Sequence, residues 1–213
     1  MIEAILWDND GVLLDTEELF FEATREALAR AGIELTREFF VNFAMGNGRS
    51  VFELVEARGW SPDAVAALRA ERDQAYARML SGQSRVIDGV VETLACLRGK
   101  ARMAVVTTSL RRHFDLAHGR SGLREFFELD VAREDYVNSK PHPEPYLLAL
   151  THLALAPDRC VAIEDSERGL KAAVAAGLRC IVVPNRMTRG SQFAGATAVF
   201  DDLRAVPSFL ESL

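Results

Sequence analysis

The sequence predicts an α/β fold: a parallel sheet covered by helices on both faces, with a helical domain inserted near its start. Three observations predict it. Short, continuous apolar runs alternate with helical segments from about residue 85 onward, the pattern of strands buried on both faces. One further run, Ile2–Trp7, stands alone at the N-terminus and needs such a sheet to pair with. Between the two, residues 16–84 carry almost no strand signal. The chain therefore divides into a core of residues 1–15 and 85–213 and a helical cap of residues 16–84, with Asp15-Thr16 and Ser81–Ser84 as the hinges.

The opening strand ends in Asp8-Asn9-Asp10-Gly11. Side chains two apart in an extended segment project to the same side, so Asp8 and Asp10 can converge on one ligand. Gly11 lets the backbone turn where a side chain would obstruct it. The same tetrapeptide is also good surface-turn sequence, and alone it does not choose between the two readings. In the cap, Leu19, Phe20, Ala23, Ala27 and Ala31 recur at helical spacing up to Gly32. Ser61-Pro62-Asp63 supplies an N-cap hydroxyl and a first-turn proline for a second helix running to about Leu80. In the core, Met103–Thr107, Cys160–Glu164 and Cys180–Val183 read as buried strands. Leu110–His118, Pro143–Leu153 and Ser166–Ala176 read as the helices between them, the last closed by Gly177.

Apolar residues at 49% and charged residues at 26% are ordinary for a globular chain. A formal charge of −6 without any Lys/Arg run weighs against nucleic-acid binding. The apolar runs are too short to span a membrane, and the start lacks a secretory pattern. Cys96, Cys160 and Cys180 are odd in number and widely spaced, and Cys160 and Cys180 begin strand-like runs, which favours buried free thiols over a disulfide or a metal site and fits a reduced, cytoplasmic compartment. Nothing in the composition sets the oligomeric state.

Three more strand ends carry residues suited to a phosphate and a metal. Val105-Val106 leads into Thr107-Thr108-Ser109, where hydroxyls and the N–H groups opening a helix can hold an anion. Lys140 lies in a loop stiffened by Pro141, Pro143 and Pro145. Ile163 leads into Glu164-Asp165-Ser166. Each has a commonplace reading: a capping hydroxyl, a solvated lysine, acids that favour a helix dipole. A parallel sheet, however, brings its strand carboxyl ends to one edge, where Asp8, Asp10, Thr107 and Asp165 would face one another.

The order Asp8-x-Asp10-Gly11, Thr107-Thr108-Ser109, Lys140-Pro141 and Glu164-Asp165-Ser166 resembles the haloacid dehalogenase-like hydrolase superfamily. The helical insertion after the first motif is similar to the branch containing phosphoglycolate phosphatase and β-phosphoglucomutase. The resemblance covers essentially the whole chain and implies a Rossmann-like core. It implies Asp8 as the nucleophile that forms an aspartyl-phosphate, and Asp10 as acid for the leaving oxygen and base for water. It implies Mg²⁺ held by the Asp8 carboxylate, the Asp10 carbonyl and Asp165, with Glu164 ligating directly or through water. Lys140 and Thr107 would then hold the phosphoryl oxygens, beside Thr108 and Ser109. Charge arithmetic demands such a cation: two unit negative charges ~4 Å apart repel by roughly 4 kcal/mol at an effective dielectric near 20.

Within the cap, Gly46-Asn47-Gly48-Arg49-Ser50 resembles the specificity loop of this branch. Arg49 is either an anion-binding fork or a solvent-facing arginine. β-Phosphoglucomutases carry a proton-relaying histidine where this chain has Phe20, and a cap lysine at the place of Arg72. Phe20 is either cap packing or a substrate contact, and it cannot relay a proton. Residues 16–84 contain no lysine, which excludes the Schiff-base phosphonate-cleaving relatives. The expected activity is thus Mg²⁺-dependent hydrolysis of a small phosphomonoester, a sugar phosphate or similar metabolite. The alternatives are a β-phosphoglucomutase-like isomerase and a non-catalytic phospho-ligand-binding module.

Overall fold

The computed structural model describes residues 2–213. Strands β1 (Ala4–Trp7), β2 (Arg102–Val106), β3 (Leu129–Val131), β4 (Cys160–Glu164), β5 (Arg179–Val182) and β6 (Ala198–Val199) form one sheet, ordered β3-β2-β1-β4-β5-β6. Every neighbouring pair is parallel. Helices α1 (Glu17–Arg30), α2 (Arg37–Phe40), α3 (Glu53–Glu56) and α4 (Pro62–Gln83) lie between β1 and the rest of the sheet's sequence, with a π-helical turn at Val41–Gly46. Helices α5 (Val90–Leu97), α6 (Arg111–His118), α7 (Glu144–Leu153), α8 (Glu167–Ala175) and α9 (Val206–Leu210) flank the sheet.

The alternation within β1 explains the layering. Ile5 and Trp7 face a cluster with Leu94 of α5 and Phe114 of α6, whereas Ala4 and Leu6 face Tyr146 and Leu150 of α7 and Leu170 of α8. All four strand residues are fully buried, as a central strand between two helical layers requires. Trp7 is level with Val105 of β2 and Ile163 of β4, so the chain leaves β1 between two other strand ends. The strand order reverses beside β1, which is where an open α/β sheet forms its crevice.

Residues 16–84 build their own apolar cluster from Phe21, Leu28, Phe40, Phe52, Val55 and Leu68. It is tied to the core in both directions. Ala23, Tyr76 and Leu80 join the cluster on one face of the sheet, and Met187 of the core joins the cluster of the helical insertion. The two crossings run side by side: Leu14 bridges Val86 in antiparallel register, Asp15 N–H donates to Arg85 O at 2.9 Å, and Ile87 N–H donates to Leu13 O at 3.1 Å.

Two expectations about elements need correction. The helix α4 does not stop near Leu80; it runs on through Ser81 and Gly82 to Gln83. The Ser81 hydroxyl donates to Ala77 O, and Ser84 N–H to Leu80 O, so the sequence that reads as a stop is absorbed as one more turn. The strands β3 and β6, three and two residues long, were not expected. They sit at the sheet edges, where so short a run shows no period. Among the described residues, no helix is long and apolar enough to cross a membrane.

Candidate active site

Asp8 is the first residue beyond β1, its N–H held by Ile163 O at 2.9 Å. Its Oδ1 accepts from Lys140 Nζ at 2.7 Å. The same ammonium donates to Glu164 Oε1 at 2.7 Å, to Val106 O at 2.8 Å and to Tyr146 Oη at 3.2 Å. Lys140 is therefore a buried cation fixed between two carboxylates, not a solvated loop lysine. Burial pulls its pKa down, but Asp8 and Glu164 outweigh burial and hold the ammonium above its ordinary value. Burial pushes Asp8 up to about 7; Lys140 opposes this, and Glu164 and Asp10 add to it. Glu164 Oε1 also accepts from Tyr146 Oη at 2.6 Å. Its carboxylate occupies the space of a side chain at Gly169, where any Cβ would collide with it.

Asp10 sits among three hydroxyls. Thr16 Oγ1 donates to its Oδ1 at 2.5 Å, while Thr107 Oγ1 at 3.1 Å and Ser109 Oγ at 2.7 Å donate to Oδ2. Ser109 N–H donates in turn to Thr107 Oγ1 at 3.0 Å, which locks the loop after β2. Thr16 is the N-cap of α1 yet makes no capping bond, having turned its hydroxyl to Asp10. An N-cap hydroxyl is worth about 1 kcal/mol to a helix, so the placement favours the site over the element. Hydroxyls both donate and accept, so this set can serve Asp10 with or without a proton.

Asp165 completes the acid group. One oxygen each from Asp8, Glu164 and Asp165 lies within 4.8 Å of the others, and all three residues are buried. Asp165 Oδ2 accepts from Asn185 Nδ2 at 2.8 Å, and the same amide reaches Glu17. Burial raises Asp165 well above the carboxylate range and Glu17 to about 8, with neighbouring acids adding to the burial of Asp165. Gly11, at φ +85°, makes this crowding possible, because a Cβ there would strike Asn185, Asp165 and Glu17. Three buried oxygen donors beside a single lysine form the kind of set that hard divalent cations occupy.

The remaining expected residues are placed differently. Thr108 Oγ1 accepts a 3.4 Å contact from Arg168 Nη2. Gly46 ends the π-helical turn and lies near Glu167. Phe20 packs edge-on against Tyr76 at 5.1 Å, with the Arg72 guanidinium 4.4 Å from its ring centre. Arg49 turns to Glu53, Nε to Oε2 at 3.0 Å, lies over the Phe43 ring and is more than half exposed. Sequence reasoning missed four residues of the site. Tyr146 reads only as part of the helix Pro143–Leu153 and Thr16 as a hinge, while Glu17 and Asn185 carry no reading at all. Only the position of Asn185, just beyond β5, offered a signal.

The family model for haloacid dehalogenase-like hydrolases matches residues 5–183. Protein CbbY of Cereibacter sphaeroides is 38% identical over 213 residues, covering 94% of this chain and 92% of the relative. The phosphorylated carbohydrates phosphatase of Thermotoga maritima is 30% identical over 200 residues, covering 93% of each. The crystal structure of a CbbY mutant from Rhodobacter sphaeroides in complex with xylulose-(1,5)bisphosphate superimposes with a TM-score of 0.81, at 33% identity over 96% of both chains. The chain belongs to the haloacid dehalogenase-like hydrolase family and, within it, to the enzymes that act as phosphatases on small phosphate esters.

Proposed function

We propose that this protein is a Mg²⁺-dependent phosphatase of phosphorylated carbohydrates or similar metabolites that works through an aspartyl-phosphate on Asp8. The observation that carries the reading is Lys140 Nζ at 2.7 Å from both Asp8 and Glu164, with Asp165 closing the same acid group. Asp8, Asp165 and the Asp10 carbonyl would hold Mg²⁺, which supplies positive charge against the phosphoryl oxygens. Glu164, committed to Lys140 and Tyr146, orients the lysine.

In the first step a carboxylate oxygen of Asp8 attacks phosphorus. The bond from phosphorus to the ester oxygen breaks, and that oxygen takes a proton from Asp10. In the second step a water attacks the same phosphorus, Asp10 takes the water's proton, and inorganic phosphate leaves Asp8 free. Lys140 offsets the charge on Asp8 and on the phosphoryl oxygens throughout. The hydroxyls of Thr16, Thr107 and Ser109 keep Asp10 in place across both steps. Phe20 offers no proton at the place where mutases have histidine, and its ring is spent on Tyr76 and Arg72, which favours water as the acceptor.

The test is a phosphate-release screen over sugar phosphates, phosphoglycolate and nucleotides, with Mg²⁺ and with EDTA. Release that depends on Mg²⁺ is expected from sugar phosphates. Interconversion of glucose 1-phosphate and glucose 6-phosphate with little phosphate release would overturn the reading in favour of a mutase.

A further inference from the structure

Arg168 stands in the first turn of α8, directly after the Glu164-Asp165-Ser166 motif. A cation there opposes the helix dipole, so its position does nothing for the helix. Its Nε is buried and has no hydrogen-bond partner among the described residues. Among those residues the guanidinium's one side-chain partner is Thr108 Oγ1, a neutral oxygen at a long 3.4 Å. The aliphatic part of the side chain lies against Gly48 of the cap loop, and Gly48 itself abuts Pro141 beside Lys140. Arg168 thus spans the seam where the cap loop meets the strand-end loops that hold Asp10 and Lys140.

Several cations around the site are matched by acids, whereas Arg85, Arg186 and Arg189, which line the cleft beside Gly11 and Asn185, form no ion pair among the described residues but leave no buried donor unpartnered. Lys140 faces Asp8 and Glu164, Arg49 faces Glu53, Arg72 faces Asp73, Arg112 faces Asp73, and Arg111 faces Asp130 and Asp135. Among the described residues, no carboxylate lies within 4.0 Å of Arg168. A buried guanidinium edge without an acceptor is costly unless a ligand supplies one. A planar fork of donors is the group best matched to a phosphate or carboxylate.

We propose that Arg168 is a specificity-determining residue: it binds a second anionic group of the substrate, remote from the phosphoryl group transferred to Asp8. The protein then prefers sugar bisphosphates to the corresponding monophosphates. This rests on the phosphatase reading above and adds to it the substrate class and the residue that selects it.

The test uses two ligand pairs that differ by one phosphate: xylulose 1,5-bisphosphate against xylulose 5-phosphate, and fructose 1,6-bisphosphate against fructose 6-phosphate. Binding is measured by calorimetry with Mg²⁺ on the full-length Asp8→Asn protein, alone and combined with Arg168→Ala or Arg168→Lys. Turnover is measured in parallel on the chain with Asp8 intact. In at least one pair the bisphosphate is expected to bind about tenfold tighter or better, the size of one charge-assisted contact. Arg168→Ala should remove that preference and raise KM for the bisphosphate far more than it lowers kcat. Arg168→Lys should restore part of it, since charge returns without the fork.

Equal binding within both pairs, or a preference that survives Arg168→Ala, overturns the inference. So does an Arg168→Ala protein in which both members of a pair weaken alike, since that is the mark of a merely structural residue. The two readings fail separately. If the chain with Asp8 intact releases phosphate from no substrate, including p-nitrophenyl phosphate, the phosphatase reading falls, while the binding ratio still decides the role of Arg168.

Discussion

Replacing Gly11 with alanine would press a methyl group into the space shared by Asn185, Asp165 and Glu17, on a backbone at φ +85°. The strain is about 1 kcal/mol or more, and its larger effect falls on Asp165, whose carboxylate must keep its place beside Asp8. Gly11→Ala is expected to raise the Kd for Mg²⁺ at least about tenfold in a calorimetric titration. A variant with wild-type Mg²⁺ affinity would separate Gly11 from the acid group. At this scale the sequence was legible where chemistry coincides with a strand end. Asp8, Thr107 and Asp165 each follow an apolar run, and Lys140 stands among prolines. It was not legible where a residue has an ordinary local duty that it gives up in the fold. Thr16 reads as a hinge and bonds Asp10; Glu17, which carries no sequence signal, is half-buried and bonded to Asn185. Arg49 reads equally as an anion fork or a solvent-facing arginine, and it is exposed and pairs with Glu53, four residues on along the same chain segment.

Among the elements, α6 bonds directly to the turn that carries Asp8 and Asp10. His118 in its last turn donates from Nε2 to Asn9 Oδ1 at 2.6 Å, and its Nδ1 lies 3.1 Å from Ser121 Oγ. Burial lowers the His118 pKa from 6.5 to about 4, only partly offset by Asp10. The sign follows from that depression: between these values the unfolded chain binds a proton that the folded chain refuses. The stabilisation is full above pH 6.5 and is lost as pH falls toward 4, by roughly 3 kcal/mol at most. The ring resonances of His118 in NMR titration are therefore expected to show no protonation down to about pH 5, and thermal unfolding should shift to lower temperature across this window. A ring that titrates near 6.5 would show that α6 does not clamp Asn9. Strands β1, β2, β4 and β5 were readable because continuous burial leaves a continuous apolar run, whereas β3 carries Asp130 in its centre and β6 pairs over only two residues.

Across the whole molecule, the cap and core are one packed body around the acids. Tyr76 and Leu80 of α4 belong to the core's cluster, Met187 of the core belongs to the cap's, and Asp73 of α4 pairs with Arg112 of α6. In the proposed function, substrate selection falls to the cap and chemistry to the strand ends. The sequence expectation of a division into 1–15 with 85–213 and 16–84 rests on the change of periodicity at both crossings. The packing across the seam leaves no such pattern, since it joins residues distant in sequence, such as Asp73 with Arg112 and the cap's cluster with Met187. The most direct test of the account is the single substitution Asp8→Asn, measured for Mg²⁺-dependent phosphate release on the best substrate of the screen. Activity should fall by at least about a thousandfold, with no phosphoryl group trapped on the acid-quenched protein and the thermal midpoint little changed. An Asp8→Asn protein that still releases phosphate at a tenth of the normal rate, or still carries the trapped group, would contradict it.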